Sequence, residues 1–314
     1  MSHAEIATER THESEKRPRG AASSAALGLL IGILAAALGL APWWISGARL
    51  PLQNLWATQV IPGQMPMALL PLSQYEVLTI VALLTTGGAA AGFAIRVWSP
   101  VRRRLVTWCA IVGLLLVQVA ATVQSFELLG QGLMRGTLAQ YYRAGLMAGV
   151  ICSILAAVVA LLLIASKSTV ATTIGGGLMA VPFTSWAVEW VVGVVGHTNV
   201  PIAVPSIAHW LPAIVVGCAL AWCGVRPLGR LAAWVLNLAF LWVIPAVFTA
   251  VQSVLGTRVI AGDIPEMVLM GREVLTAALG PDGGAVPTVL LALALGLAGV
   301  GIRVIAAQRV HSTT

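Results

Sequence analysis

Between Ala144 and Ala165 the chain runs for 22 residues without one charged side chain. A helix of about 20 residues, rising 1.5 Å at each, crosses the roughly 30 Å hydrocarbon core of a bilayer. Lipid offers no partner for backbone N–H and C=O groups, so such a segment closes its hydrogen bonds internally as a helix. Seven other runs have the same character: Ala25 to Ile45, Glu76 or Val77 to Val97, Leu105 to Phe126, Val170 to Val195, His209 or Trp210 to Val225, Leu231 to Val254, and Val286 to Ala306. The expected fold is an all-α membrane protein of eight transmembrane helices. Only 9% of residues are charged and 59% are hydrophobic, against about 25% charged in a soluble domain.

The segments between the runs set the rest of the layout. Residues 1–22 are polar and read as a disordered cytoplasmic tail. The first run follows basic residues and could be taken for a signal peptide, but it is long enough to span and its tail is acidic, so an uncleaved helix is expected. It carries Gly28 and Gly32 at small-xxx-small spacing and ends at Trp43-Trp44, where an interfacial aromatic belt belongs. Residues 46–74 form a long apolar loop with Pro51, Pro62, Pro66 and Pro71. Glu127 to Arg143 suits an interfacial helix. Asp263-Ile-Pro-Glu266 resembles a capping box with proline in the first turn, and Gly280-Pro281 ends that short helix after Leu279.

Charge gives an orientation. With the N-terminus inside, 13 of the 18 Lys and Arg fall on the cytoplasmic side, including Arg96, Arg102, Arg103, Arg104, Lys167, Arg226, Arg230, Arg303 and Arg309. Arg49, Arg135, Arg143, Arg258 and Arg272 fall outside. This is the positive-inside pattern, with both termini cytoplasmic. The net charge of +7 is thus membrane topology and not a nucleic-acid surface. Arg in place of Lys, with abundant Ala, Gly and Val, points to a GC-rich genome and a bacterial plasma membrane.

Landmarks recur in order along the chain. Pro66-Met-Ala-Leu-Leu-Pro71 is echoed by Pro201-Ile-Ala-Val-Pro205, Arg104-Leu-Val-Thr-Trp108 by Arg230-Leu-Ala-Ala-Trp234, and Val123-Gln124-Ser125 by Val251-Gln252-Ser253. Leu133-Met134-Arg135 is followed in the same order by Leu269-Met270-Gly271-Arg272. The expected division is a first four-helix repeat over 23–167, a second over 168–307 and a tail over 308–314. Four helices per half give both halves one orientation, with a pseudo-axis along the membrane normal.

Candidate chemistry is sparse. Glu189 is the one acid well inside an apolar run, flanked by Trp186 and Trp190. An ionisable group in a span is costly and marks a functional hypothesis, although its place near the helix end also fits an interfacial role. Arg143 or Arg135 is a plausible partner. Gln124 and Gln252 hold matching repeat positions and can glue helices or form a symmetric polar site. His197 and His209 flank the second proline stretch, without a carboxylate or cysteine at ligand spacing, so no metal is expected. Cys109, Cys152, Cys218 and Cys223 lie in apolar runs as packing residues. Gly175-Gly176-Gly177 lacks a following Lys and is no phosphate loop. His-Glu-x-x-His, Gly-x-Ser-x-Gly and Walker patterns are absent.

The ligand-binding candidates are therefore Glu189, Gln124, Gln252, His197, His209 and Arg143, with no catalytic residue, metal or cofactor. The leading expectation is a permease-like protein for a small or lipidic solute, with the site between the halves and the bilayer as its partner. Two alternatives stay open: an envelope scaffold or regulatory subunit binding other membrane proteins, and a membrane enzyme using Glu189, Glu127 or Asp263.

Overall fold

The computed structural model describes the backbone of residues 3–196, 199–257, 259–260, 262–281 and 283–312, with side chains between 20 and 306 and at 308. Among the described residues nine α-helices follow in order: α1 (His3–Ile45), α2 (Val77–Trp98), α3 (Arg103–Gly132), α4 (Thr137–Ala165), α5 (Thr169–Val195), α6 (Ala203–Cys223), α7 (Leu228–Gly256), α8 (Ile264–Leu279) and α9 (Ala285–Ser312). All except α8 are long and apolar enough to cross a membrane. The chain is a multi-pass, all-α membrane protein. Among the described residues there are no strands, only the isolated bridges Arg49–Met67 and Trp56–Leu133.

Three boundaries differ from those read in the sequence. The apolar span of α1 starts at Gly20, yet the helix itself starts at His3, through the segment expected as a disordered tail. Its Ala, Glu, Lys and Arg content favours helix. Residues 127–143 form no separate interfacial helix. α3 continues to Gly132 and α4 begins at Thr137, with Gly136 at φ 154° in the break. The second proline stretch is no loop: α6 starts at Ala203. Pro205 sits in its first turn, where a missing N–H costs nothing. The loop helix expected after Asp263 is α8, and the Asp263 side chain accepts from Glu266 N at 3.2 Å.

Helix partners follow one order in both sets of four. α1 packs on α2 and α3, and α2 on α4; α5 packs on α6 and α7, and α6 on α9. Small residues allow the closest of these approaches. A Cβ at Gly32 would lie 2.0 Å from Ala110 O of α3, and one at Gly88 would lie 2.0 Å from Ala157 O of α4. The halves meet where α5 packs on α1, α2 and α4, and Trp186 Nε1 donates to Gly39 O at 3.0 Å.

Alternation of the spans creates two chemically distinct ends. One, the basic end, carries Arg96, Arg102, Arg103, Arg104, Lys167, Arg226, Arg230 and Arg303. All the carboxylates with described side chains lie at the other: Glu76, Glu127, Glu189, Asp263, Glu266 and Glu273. This acidic end is roofed over the first half by residues 46–76. Leu50, Met65, Ala68, Leu70 and Leu72 of this strap are buried in the core. Its backbone finds partners in the helices around it. Trp43 Nε1 donates to Ala68 O at 2.8 Å, Leu70 N to Ser125 Oγ at 2.9 Å and Met134 N to Leu55 O at 2.8 Å. The first proline stretch thus buries Ala68, Leu70 and Pro71 while Met67 and Leu69 face outward, whereas Pro201, Ile202 and Pro205 are all exposed. The two echoes do not share a conformation.

Gln53 is the keystone of the strap. Its Nε2 donates to Pro51 O and Leu72 O, each at 2.7 Å, and its Oε1 accepts from Tyr142 Oη at 2.6 Å. Replacing it by leucine strands buried acceptors, at about 1–3 kcal/mol for each group left unpaired. Gln53→Leu is expected to make residues 46–76 sensitive to a broad-specificity protease in membrane vesicles while the helices stay intact. Unchanged resistance would show that the strap does not depend on this amide.

Candidate functional site

A cavity of about 510 Å³ lies among α2, α5, α6, α7 and the start of α9, with α8 at its rim. Its polar walls are Glu189, His209, Thr79, Thr184, Ser185, Thr249 and Thr288, and its apolar walls include Leu78, Val181, Leu241 and Trp242. α2 belongs to the first four helices and the rest to the second, so the cavity straddles the two sets. Toward the basic end it stops where Ala180, Val216, Leu220, Trp234 and Leu241 pack together. Asn237 is fully buried in that floor.

Glu189 is half-buried on the last turns of α5. Thr79 Oγ1 lies 3.3 Å from Glu189 Oε1 and 2.8 Å from Glu76 Oε2. The one hydroxyl hydrogen serves one carboxylate at a time, and the shorter contact favours Glu76. Both carboxylate oxygens touch one hydroxyl, so they lie within about 6 Å of each other. At that separation two negative charges repel, and a cation near both relieves the repulsion. Glu76 in turn lines an open cleft of about 930 Å³ formed within the strap itself, with Gln53, Asn54, Trp56 and Tyr75. The acids are staged, one in the open cleft and one in the cavity, joined by Thr79.

The cavity hydroxyls share a property that their positions impose. Thr184 donates to Ala180 O at 2.9 Å, Ser185 to Val181 O at 3.4 Å, Thr249 to Pro245 O at 2.9 Å and Thr288 to Ala285 O at 2.8 Å. Each spends its hydrogen on the backbone, so only oxygen lone pairs remain for an occupant. Trp242 Nε1 is also engaged, with Leu279 O at 3.2 Å. Pro212 and Pro245 lie inside α6 and α7 and face the cavity. Having no N–H, they leave the carbonyls of Ala208 and Leu241, both lining residues, without the usual i+4 donor. The walls are rich in acceptors, and His209 is the side-chain donor left at the rim, edge-on to Trp210 at 4.8 Å.

The other sequence candidates lie elsewhere. Gln124 holds the strap: its Nε2 donates to Met67 O and its Oε1 accepts from Leu69 N, both at 2.9 Å. Gln252 Nε2 donates to Tyr75 O at 3.1 Å, while Gln74 Nε2 reciprocates to Leu255 O at 2.9 Å, which stitches the strap to α7. Both amides bind one strap and neither lines the Glu189 cavity. Arg143 is exposed on α4, beside Gly130 of α3. His197 lies outside the described residues. Glu127 is exposed on α3 and Asp263 caps α8, so the acids considered for an enzyme do not converge on Glu189. Among the described residues no group of three His, Cys, Asp or Glu could hold a metal ion.

Glu76 and Thr79 were missed in the sequence because they read as the polar start of a helix. Their link to Glu189 crosses 110 residues of chain between Thr79 and Glu189, a distance that no local pattern reports. No protein-family model matches the sequence, and no curated protein and no solved structure matches it either.

Proposed function

We propose that this membrane protein is a permease whose cavity between the two sets of helices takes a small organic cation, such as a protonated amine or an ammonium ion. The observation that carries this reading is the wall chemistry around Glu189. The hydroxyls spend their hydrogens on the backbone, two carbonyls lie beside prolines, and a carboxylate is the charged group in the wall. Such a surface favours a positively charged donor and disfavours an anion, which would meet lone pairs and a like charge. Trp242 adds an aromatic wall that suits an ammonium group. The staged acids Glu76 and Glu189 supply a route from the open cleft. Under the positive-inside orientation the cleft faces outward, and the packed floor makes this an outward-open arrangement. The recurring helix-partner order supports two parallel halves with the solute site between them, as in duplicated transporters.

The test uses the purified protein and two panels of matched size, one of monoamines, diamines and quaternary ammonium ions, the other of carboxylates. A ligand at 100 times its Kd stabilises the folded state by about 2.7 kcal/mol. At least one amine is expected to raise the melting temperature and to accumulate in proteoliposomes as the labelled compound. Stabilisation by carboxylates alone, or by neither panel, would sink the reading.

A further inference from the structure

At the basic end a second site is built from the opposite charge. The α2–α3 turn, Ser99 to Arg102, and the α4–α5 junction at Ser166–Lys167 enclose a cleft of about 530 Å³ lined by Arg96, Ser99, Pro100, Val101, Arg103 and Lys167. It adjoins a broader groove, about 1060 Å³, that adds Arg102, Arg104, Thr107 and Trp108 to the wall. None of the described carboxylates lies at this end of the molecule.

The arginines here have different roles. Arg96 is committed to structure. Its Nη1 donates to Ser166 O and, at 2.7 Å, to Thr172 Oγ1, and its guanidinium lies 5.0 Å from the Trp222 ring centre. It ties α2 to the α4–α5 junction and to α6. Arg103 is the opposite case. Its Nε and Nη2 are buried and have no hydrogen-bond partner among the described residues. Arg103 as a whole is half-buried, and unmade bonds at two nitrogens of a charged group cost more than an ordinary lost hydrogen bond. Arg103 is also the first residue of α3, where the helix dipole is positive and a neighbouring cation is unfavourable. Lys167 faces the same cleft. An anion with several acceptor oxygens in the cleft offsets the crowded positive charge of Arg103, Lys167 and the α3 N-terminus together.

We propose that this cleft binds the phosphate of an anionic phospholipid, with Arg103 and Lys167 as its direct ligands and Arg102 and Arg104 as the flanking field. Position selects the lipid over free phosphate. Trp108 and Val101 are exposed beside the cations, and Leu105, Leu162 and Ala165 line the groove on its span side. A phosphate here would sit at headgroup depth with its glycerol and chains against an apolar wall. Basic pockets between spans on the cytoplasmic face take anionic headgroups in this way. The site is independent of the solute cavity, which lies at the other end of the helices.

The full-length protein in nanodiscs of phosphatidylcholine with a minor fraction of labelled phosphatidylglycerol gives the readout. The wild type should retain phosphatidylglycerol over phosphatidylcholine. Each cation near such a headgroup contributes about fivefold in affinity, so Arg103→Gln with Lys167→Gln should lower the preference roughly twenty-fivefold. Arg226→Gln, at the same end but outside both clefts, should leave it unchanged. Lys167→Gln alone, with an expected loss of about fivefold, keeps the test valid if the double variant fails to fold. An undiminished preference in either variant overturns the assignment. So does a wild type without preference that inorganic phosphate alone stabilises in detergent, because the site would then serve a free anion.

Discussion

Gly88→Val is expected to abolish the folded protein in detergent extracts. Any side chain at this position places its Cβ 2.0 Å from Ala157 O, 2.6 Å from Ala157 C and 2.9 Å from Ala157 Cα. These are backbone atoms of a continuous helix and cannot swing aside as a side-chain tip can. α4 must move away by more than 1 Å, and the contact it leaves contains Ala157, Ala160 and Leu161, all 0% exposed. Between spans the driving force is close van der Waals packing, because lipid tails are as apolar as the helix faces. Overpacking in a well-filled core costs about 1–3 kcal/mol and more where the backbone itself must shift, and stabilities total only about 5–15 kcal/mol. Gly145→Ala is the matched control on α4, since a Cβ there meets nothing within 4 Å. Size-exclusion profiles and thermal melts should show aggregation of Gly88→Val and wild-type behaviour of Gly145→Ala. A monodisperse Gly88→Val protein with an unchanged melting temperature would mean that α2 and α4 do not touch as described.

The second large effect concerns binding. Glu189→Gln keeps the shape of the side chain and removes its charge. For an amine that stabilises the wild type, affinity should fall about 30- to 5000-fold, since removing one partner of a desolvated charge pair costs about 2–5 kcal/mol. Glu189→Asp, with the charge kept but withdrawn by one methylene, should fall between the two. Glu189 also contacts Thr79, so the ligand-free variants are first melted and affinities are compared between the folded proteins. Isothermal titration with the same amine measures all three. Equal affinity in wild type and Glu189→Gln would remove Glu189 from the solute site and leave the cavity without its charge.

The spans were legible because hydrophobicity and charge act locally. Eight charge-poor runs became eight membrane-length helices, and Asp263, Glu266 and Gly280 marked α8 as caps do. Where boundaries slipped, tertiary context decided. Pro205 resembles a loop residue until it is placed in a first turn, and Glu127 to Gly132 carries enough helix-forming side chains to prolong α3 beyond its apolar part. Gly28 and Gly32 could be assigned to an interface from their spacing alone, but not to α3 as the partner. For the site, an acid in a span singled out Glu189. Its companions Thr79, Glu76 and His209 reach it from two other segments, and only the packing of α2 and α6 against α5 brings them together. Gln124 and Gln252 were visible as polar residues in apolar surroundings. Their shared target, the 46–76 strap, was not, because backbone carbonyls carry no signature in a sequence.

That strap has a consequence for the order in which the protein is made. Residues 46–76 leave the ribosome before most of the groups that hold them exist. Trp43 and Trp44 are already present to grip Ala68 and Leu69. Gln124 and Ser125 arrive only with α3, Tyr142 with α4, and Gln252 with α7. The strap is therefore secured in stages as translation proceeds. A nascent chain ending at Ala165 can close it over the first four helices. Gln252 fastens Tyr75, the residue beside Glu76, only after α7 is inserted. Glu76 thus gains its final setting near the end of synthesis, so an incomplete chain holds the Glu76–Thr79–Glu189 cluster without its last fastening.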